Sequence, residues 1–280
     1  MTSESRRGML VRVLALLALV AAPLAWSAGG CASQPSIVPA RPMPNNMMEL
    51  PTILESIRAD ASPWHTLQAD CTVIVNSPQL NVRGHQVNFV RGRLQIEKPG
   101  KIRLEAVTGQ LRIFLVGDGT DYRVDLPAFN DGYKGKYGGP LPVQPQRILI
   151  MPDDLVTAWD WTRLFKGVVP VLKNLQGGAV LELLEMVSDP TPDIKAASEV
   201  AFDRTQRRVT SAETYSKDSR VRAQIVVRAV DTIEGADKQP VRVPRLVWVG
   251  YPASWTSIQI TLRNIELDKE LPKGTFDLKS

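Results

Sequence analysis

Two cysteines, Cys31 and Cys71, and two histidines, His65 and His85, in 280 residues leave this chain short of the parts that metal and nucleophilic chemistry use. No cysteine pair stands at metal-ligand spacing, and neither HExxH nor GxSxG occurs. An enzyme is therefore not expected, nor is a metal or cofactor. Asp118, Asp121 and Asp125 miss the spacing of a calcium loop and read as a hairpin turn with solvated carboxylates. GYKGKYGG (132–139) lacks the GK[ST] ending of a phosphate-cradling loop and reads as a flexible rim or partner loop. His65, beside Trp64, and His85 read as structural; His85 with a serine and an aspartate is the catalytic alternative. No apolar run reaches the roughly 20 residues needed to span a bilayer core. The net charge of +5 is too small to argue for nucleic acid.

What is present begins at the N-terminus. Arg6, Arg7 and Arg12 precede an apolar stretch from Val13 to Trp26, which small residues follow: the pattern of a secretory signal peptide over 1–30. SAGG directly before Cys31 resembles the bacterial lipoprotein processing box. That resemblance implies that Cys31 becomes the first residue after cleavage and carries acyl chains, palmitate among them, on its sulfur and amino group. Ala32 after it resembles the outer-membrane sorting signal. The alternative is an incidental cysteine after a conventional cleavage site. Loss of residues 1–30 lowers the formal net charge from +5 to +3. With Cys31 acylated, Cys71 is the one thiol left; in LQADCTVIV it shares a strand face with Leu67, Ala69, Val73 and Val75 and reads as a buried small hydrophobe.

Residues 31–47 hold Pro35, Pro39, Pro42 and Pro44 without apolar periodicity, an extended tether able to reach about 50 Å at ~3.1 Å per residue. A β domain is expected over 48–280. Leu50, Ile53, Leu54 and Ile57 predict a short amphipathic helix, after which the period falls to two. Five strands run as a meander to Leu126, with turns at Lys98-Pro99-Gly100 and Gly117-Asp118-Gly119. Residues 127–146 read as a long loop, and MPDDLVTAWDWTRLFKG (151–167) as a helix whose N-terminal dipole suits Asp153 and Asp154. Six further strands follow, giving about eleven. In the last, Ile258, Ile260 and Leu262 share one parity and Ile265 and Leu267 the other, which predicts a bulge or the strand's end between them. The fold class expected is mainly β (α+β): a single curved antiparallel sheet with helices against it.

Three stretches, GRLQIEKPGKIRLEA (92–106), LVGDGTDYRVDLP (115–127) and IQITLRNIELDKELPKGTFDL (258–278), resemble in kind and order the LolA/LolB-type carriers and receptors of bacterial lipoproteins. The resemblance implies an incomplete barrel of about eleven strands, closed by helices acting as a lid over an apolar cavity for acyl chains. The loop GYKGKYGG and the segment SDPTPDIKAAS (188–198) depart from that family's compact pattern.

The strand residues expected to line such a cavity are Val73, Val75, Leu104, Ile113 and Leu115 from the first half, with Ile225, Val227, Ile258 and Ile260 from the second. Trp159 is expected at the lid, with Trp161 beside it, as an acyl-chain contact or as plain core. Arg91, Arg93, Lys101 and Arg103 form either a basic stripe toward head groups or an ordinary solvated face. The function these readings favour is noncovalent binding of lipid or lipoprotein acyl chains by a lipid-anchored envelope protein, on the outer membrane and facing the periplasm. The competing reading is an interaction or sensor lipoprotein that binds a protein or peptide on the same fold.

Overall fold

The computed structural model describes residues 48–61, 63–80, 83–129, 131–140, 148–175, 178–187, 193–235 and 237–279. Cys31, the signal peptide of 1–30 and the tether of 31–47 lie outside them. α1 (Leu50–Ala61) leads into β1 (Thr66–Asn76), β2 (Gln86–Glu97), β3 (Lys101–Thr108), β4 (Leu111–Asp118), β5 (Asp121–Leu126) and β6 (Asp131–Lys136). α2 (Pro152–Thr157) and a 3₁₀ turn (Trp161–Phe165) then precede β7 (Val169–Leu175), β8 (Gly178–Val187), β9 (Asp193–Asp203) and β10 (Arg208–Tyr215). β11 (Val221–Glu234), β12 (Pro240–Tyr251) and β13 (Thr256–Leu267) complete the series.

All thirteen strands form one curved, unclosed sheet in the order β6-β5-β4-β3-β2-β1-β13-β12-β11-β10-β9-β8-β7. Every neighbouring pair is antiparallel. The two halves of the chain meet where β1 pairs with β13, and residues 148–160, which precede edge strand β7, are buried. One face of the sheet is apolar and closed to solvent: Val73, Phe89, Leu104, Val200, Ile225 and Val247 are all fully buried.

The count of thirteen corrects the expected eleven. β6 lies inside the stretch read as a loop because GYKGK has no apolar alternation. It is an edge strand whose partner supplies the packing: Tyr122 of β5 lies so close over Gly135 that a Cβ there would collide with its hydroxyl. β7, the other edge, exposes Val169 and Val171, so it too lacks a half-buried pattern. The helix expected over 151–167 is two short pieces, separated at Asp160 (φ −140°, ψ 77°).

Parity changes mark bulges. Opposite β1, one extra residue of β2 falls between Phe89 and Gly92, which turns Val90 out to solvent while Phe89 and Leu94 stay buried. The irregularity expected in β13 is present: the register shifts between Gln68 and Asp70 of β1, opposite Asn264 (φ 50°).

Candidate functional site

The residues expected to line a cavity come together on one surface. Val73 stands opposite Ile260, and Val75 opposite Ile258, across the β1–β13 seam. Leu104 faces Leu115, Ala106 faces Ile113, and Ile225 and Val227 face Val249 and Val247. With Trp159 all ten belong to one continuous apolar core, none more than 5% exposed. Trp159 and Val227 also line a small pocket of about 30 Å³ with Trp64, Trp161, Val209 and Val230. The indole N–H of Trp159 donates to the Pro244 carbonyl at 3.0 Å, fixing the ring against β12.

The interior is occupied by the chain itself. Residues 148–160 are buried throughout, which sets irregular backbone in an apolar space where each N–H and C=O needs a partner. Asp131 accepts the Ile148 N–H at 3.1 Å, and two tyrosines serve Ile150 and Met151. The Tyr133 hydroxyl of β6 accepts from the Ile150 N–H at 2.7 Å and lies 2.8 Å from the Ile150 carbonyl. The Tyr251 hydroxyl of β12 accepts from the Met151 N–H at 2.8 Å and lies 3.3 Å from the Met151 carbonyl.

α2 carries two carboxylates into this core. Arg222 of β11 donates to Asp153 Oδ2 at 2.6 Å, and the same nitrogen lies 3.5 Å from Asp154 Oδ2. Asp153 also accepts the Gly138 N–H at 3.0 Å. Burial, and then the charge of Asp153, pushes the Asp154 carboxyl up to about 7 against the pull of Arg222 and Arg163. The sequence reading placed both aspartates at a helix N-terminus, where the dipole suits them. The signal it passed over is their setting between Ile148-Leu149-Ile150-Met151 and Leu155-Val156, where two carboxylates require an internal cation.

α1 covers one margin of the interior with Ile53 and Ile57, Leu50 and Leu54 packing partly buried beside them and Ala61 buried at its end. Its polar side is clasped from outside. Arg242 of β12 pairs with Asp60, Arg207 donates to the Ser56 hydroxyl at 3.2 Å, and the Lys98 ammonium donates to the Ala61 carbonyl at the helix end. Lys98 also lies 3.4 Å from the centroid of the Trp64 ring, and burial lowers its pKa to about 8, against Asp160 and Asp268. Beside α1, a pocket of about 300 Å³ is lined by Leu54, Ile57, Arg58, Thr162, Phe165, Val168 and Pro170.

The remaining sequence candidates separate. His65 donates its backbone N–H to Asp268 at 2.6 Å, and His85 Nδ1 lies 3.0 Å from the Leu80 carbonyl. Asp118 accepts the Thr120 and Asp121 N–H groups, each at 2.8 Å, as a turn residue, and Asp125 pairs with Arg123 at 2.7 Å. Lys101 and Arg103 are engaged by Glu97 and Glu105, so they form no unopposed basic stripe with Arg91 and Arg93. Cys71 is buried, and burial followed by the charge of Asp70 pushes its thiol up to about 12. Among the described residues no group of three or more His, Cys, Asp and Glu is placed to hold a metal ion.

No protein-family model matches the chain, and no curated protein matches it. Solved structures align with it at low identity. A LolA superfamily protein from Nitrosomonas europaea aligns over 82% of this chain and 98% of its own, at 12% identity and a TM-score of 0.49. A DUF1329 family protein from Desulfovibrio piger aligns over 82% and 97%, also at 12% identity and a TM-score of 0.49. Likenesses this distant transfer no residue role and no activity.

Proposed function

We propose that the chain is a lipid-anchored protein of the bacterial envelope that binds acyl chains of lipid or lipoprotein cargo, without catalysis, in the apolar interior beneath α1. In this reading Cys31 carries the anchoring acyl chains, residues 31–47 are the tether, and 48–280 form the binding domain on the periplasmic side of the outer membrane. The observation that carries it is the way the apolar sheet face is closed. α1 buries only Ile53 and Ile57 fully in the core, Leu50 and Leu54 packing partly exposed against it, with apolar pockets of about 30 and 300 Å³ on its flanks.

Magnitudes make the exchange feasible. Uncovering Ile53 and Ile57 costs about 1.5–3 kcal/mol each, whereas an acyl chain gains ~0.8 kcal/mol per buried methylene. About eight methylenes offset the uncovering of Ile53 and Ile57, and the further methylenes of a long acyl chain work against the partly buried Leu50 and Leu54 and the polar contacts of α1. Trp159, Val227 and Val209 would be the first residues met, and the seam residues Val73, Val75, Ile258 and Ile260 lie deeper.

The filled interior of residues 148–160 favours a second reading, an interaction or sensor lipoprotein whose core stays packed while it binds a protein or peptide. Native mass spectrometry of the chain after gentle extraction, with titration of a fluorescent fatty acid, separates the two. Noncovalent lipid adducts and saturable uptake support acyl-chain binding; a bare mass and no uptake support the packed alternative.

A further inference from the structure

The β9–β10 turn, Asp203-Arg204-Thr205-Gln206-Arg207-Arg208, lies against α1, and Arg242 reaches it from β12. A pocket of about 470 Å³ opens there, lined by Glu55, Ser56 and Ala59 of α1 and by Thr205, Gln206, Arg207 and Arg242. The local carboxylates are mostly engaged. Asp203 accepts the Thr205 and Gln206 N–H groups at 2.7 and 2.9 Å, and Asp60 is paired with Arg242. Glu55 is exposed on the outer side. Arg208 donates through Nε to Gln206 at 2.6 Å, while its buried Nη1 has no hydrogen-bond partner. Arg242 lines both this polar pocket and the small apolar one holding Trp159 and Val227, and Arg208 and Asp60 line the latter.

We propose that this pocket binds a phosphate group, and that a bound phosphate loosens α1. Guanidinium forks match phosphate oxygens, and Thr205 adds a hydroxyl donor, the Ser56 hydroxyl being committed to the Thr52 carbonyl at 2.9 Å. The donors a phosphate would recruit, Arg207 and Arg242, are the ones that hold Ser56 and Asp60 of α1, so anion binding competes with the clasp. This deepens the acyl-chain reading and its second half rests on it: a phospholipid head at Arg242 sets its tail beside Trp159 and Val227.

The test uses the full chain in neutral detergent, with glycerol phosphate as the soluble probe and phosphatidylglycerol vesicles as the lipid probe. Arg207→Gln removes an exposed donor, and Arg91→Gln is the control on β2. Glycerol phosphate is expected to bind wild type and the control alike and the Arg207→Gln protein about tenfold more weakly. It should also speed amide exchange over 52–61 in wild type. Binding of both probes supports a lipid head group; binding of glycerol phosphate alone supports a free phosphate ester. Equal affinity of wild type and Arg207→Gln, or no binding of either probe, overturns the inference. Uptake of a fatty acid, which carries no phosphate, is retained or eased by Arg207→Gln, because losing the Ser56 contact loosens α1, while glycerol phosphate binding falls; failure of this site and failure of acyl-chain binding are therefore read separately.

Discussion

Replacing Asp154 by asparagine should stabilise the protein above neutral pH. Asp154 is 4% exposed, and its nearest cation, Arg222, makes its shorter contact with Asp153. Two carboxylates therefore share one guanidinium in an apolar interior, and burial together with Asp153 raises the Asp154 carboxyl from 3.8 to about 7. Because the folded value lies above the unfolded one, the protonated form is the one the fold favours. Asp154 adds no penalty below the unfolded value. The penalty grows as pH rises toward the folded value and is complete above it. At ~1.4 kcal/mol per pH unit, the interval from 3.8 to about 7 corresponds to about 4 kcal/mol at most. Asparagine has the shape of the protonated acid and no such penalty. In urea unfolding, the advantage of Asp154→Asn over wild type should grow by about 2–3 kcal/mol between pH 5 and pH 8. Comparing the two proteins at each pH cancels the other titrating groups. An advantage that does not change with pH, or a variant less stable than wild type at pH 8, would refute the reasoning.

Three further outcomes follow from the same interior. Tyr251→Phe strips the Met151 N–H of its buried acceptor and should cost about 1–3 kcal/mol in chemical denaturation, with no change in secondary structure by circular dichroism. Leu104→Ala, at a fully buried position facing Leu115, should cost about 2–5 kcal/mol and lower the thermal midpoint. Cys71, buried and with its thiol held near 12, should resist alkylation at pH 8 in the folded chain and react promptly in denaturant; labelling at equal rates in both states would contradict the packing of β1.

The central strands were legible because their two-residue alternation records which side faces the core: Leu67, Ala69, Cys71, Val73 and Val75 are all buried. The parity change in β13 was legible for the same reason, and its shift lies opposite Ala69. The edges were not. β6 is held by pairing with β5 and by Tyr122 over Gly135, contacts that leave no periodic trace in DGYKGK. The split of the 151–167 segment was hidden because Trp159, Trp161 and Phe165 suit a helix, whereas packing inside a curved sheet decided the path. The ten apolar site residues were readable as one buried surface, but sequence alone does not say whether that surface meets a cavity or Ile148–Trp159. The arginines around α1 were missed because Arg207, Arg208 and Arg242 converge only in the fold.

Entry of acyl chains beneath α1 is the step on which the proposed function depends. A fatty acid bearing a photoreactive group at its tail, irradiated with the protein and followed by peptide mapping, tests it directly. Cross-links are expected in the peptides holding Trp64, Trp159 and Val227, lost on competition with unlabelled fatty acid. Cross-links confined to exposed strands such as β7, or none that compete, would contradict it.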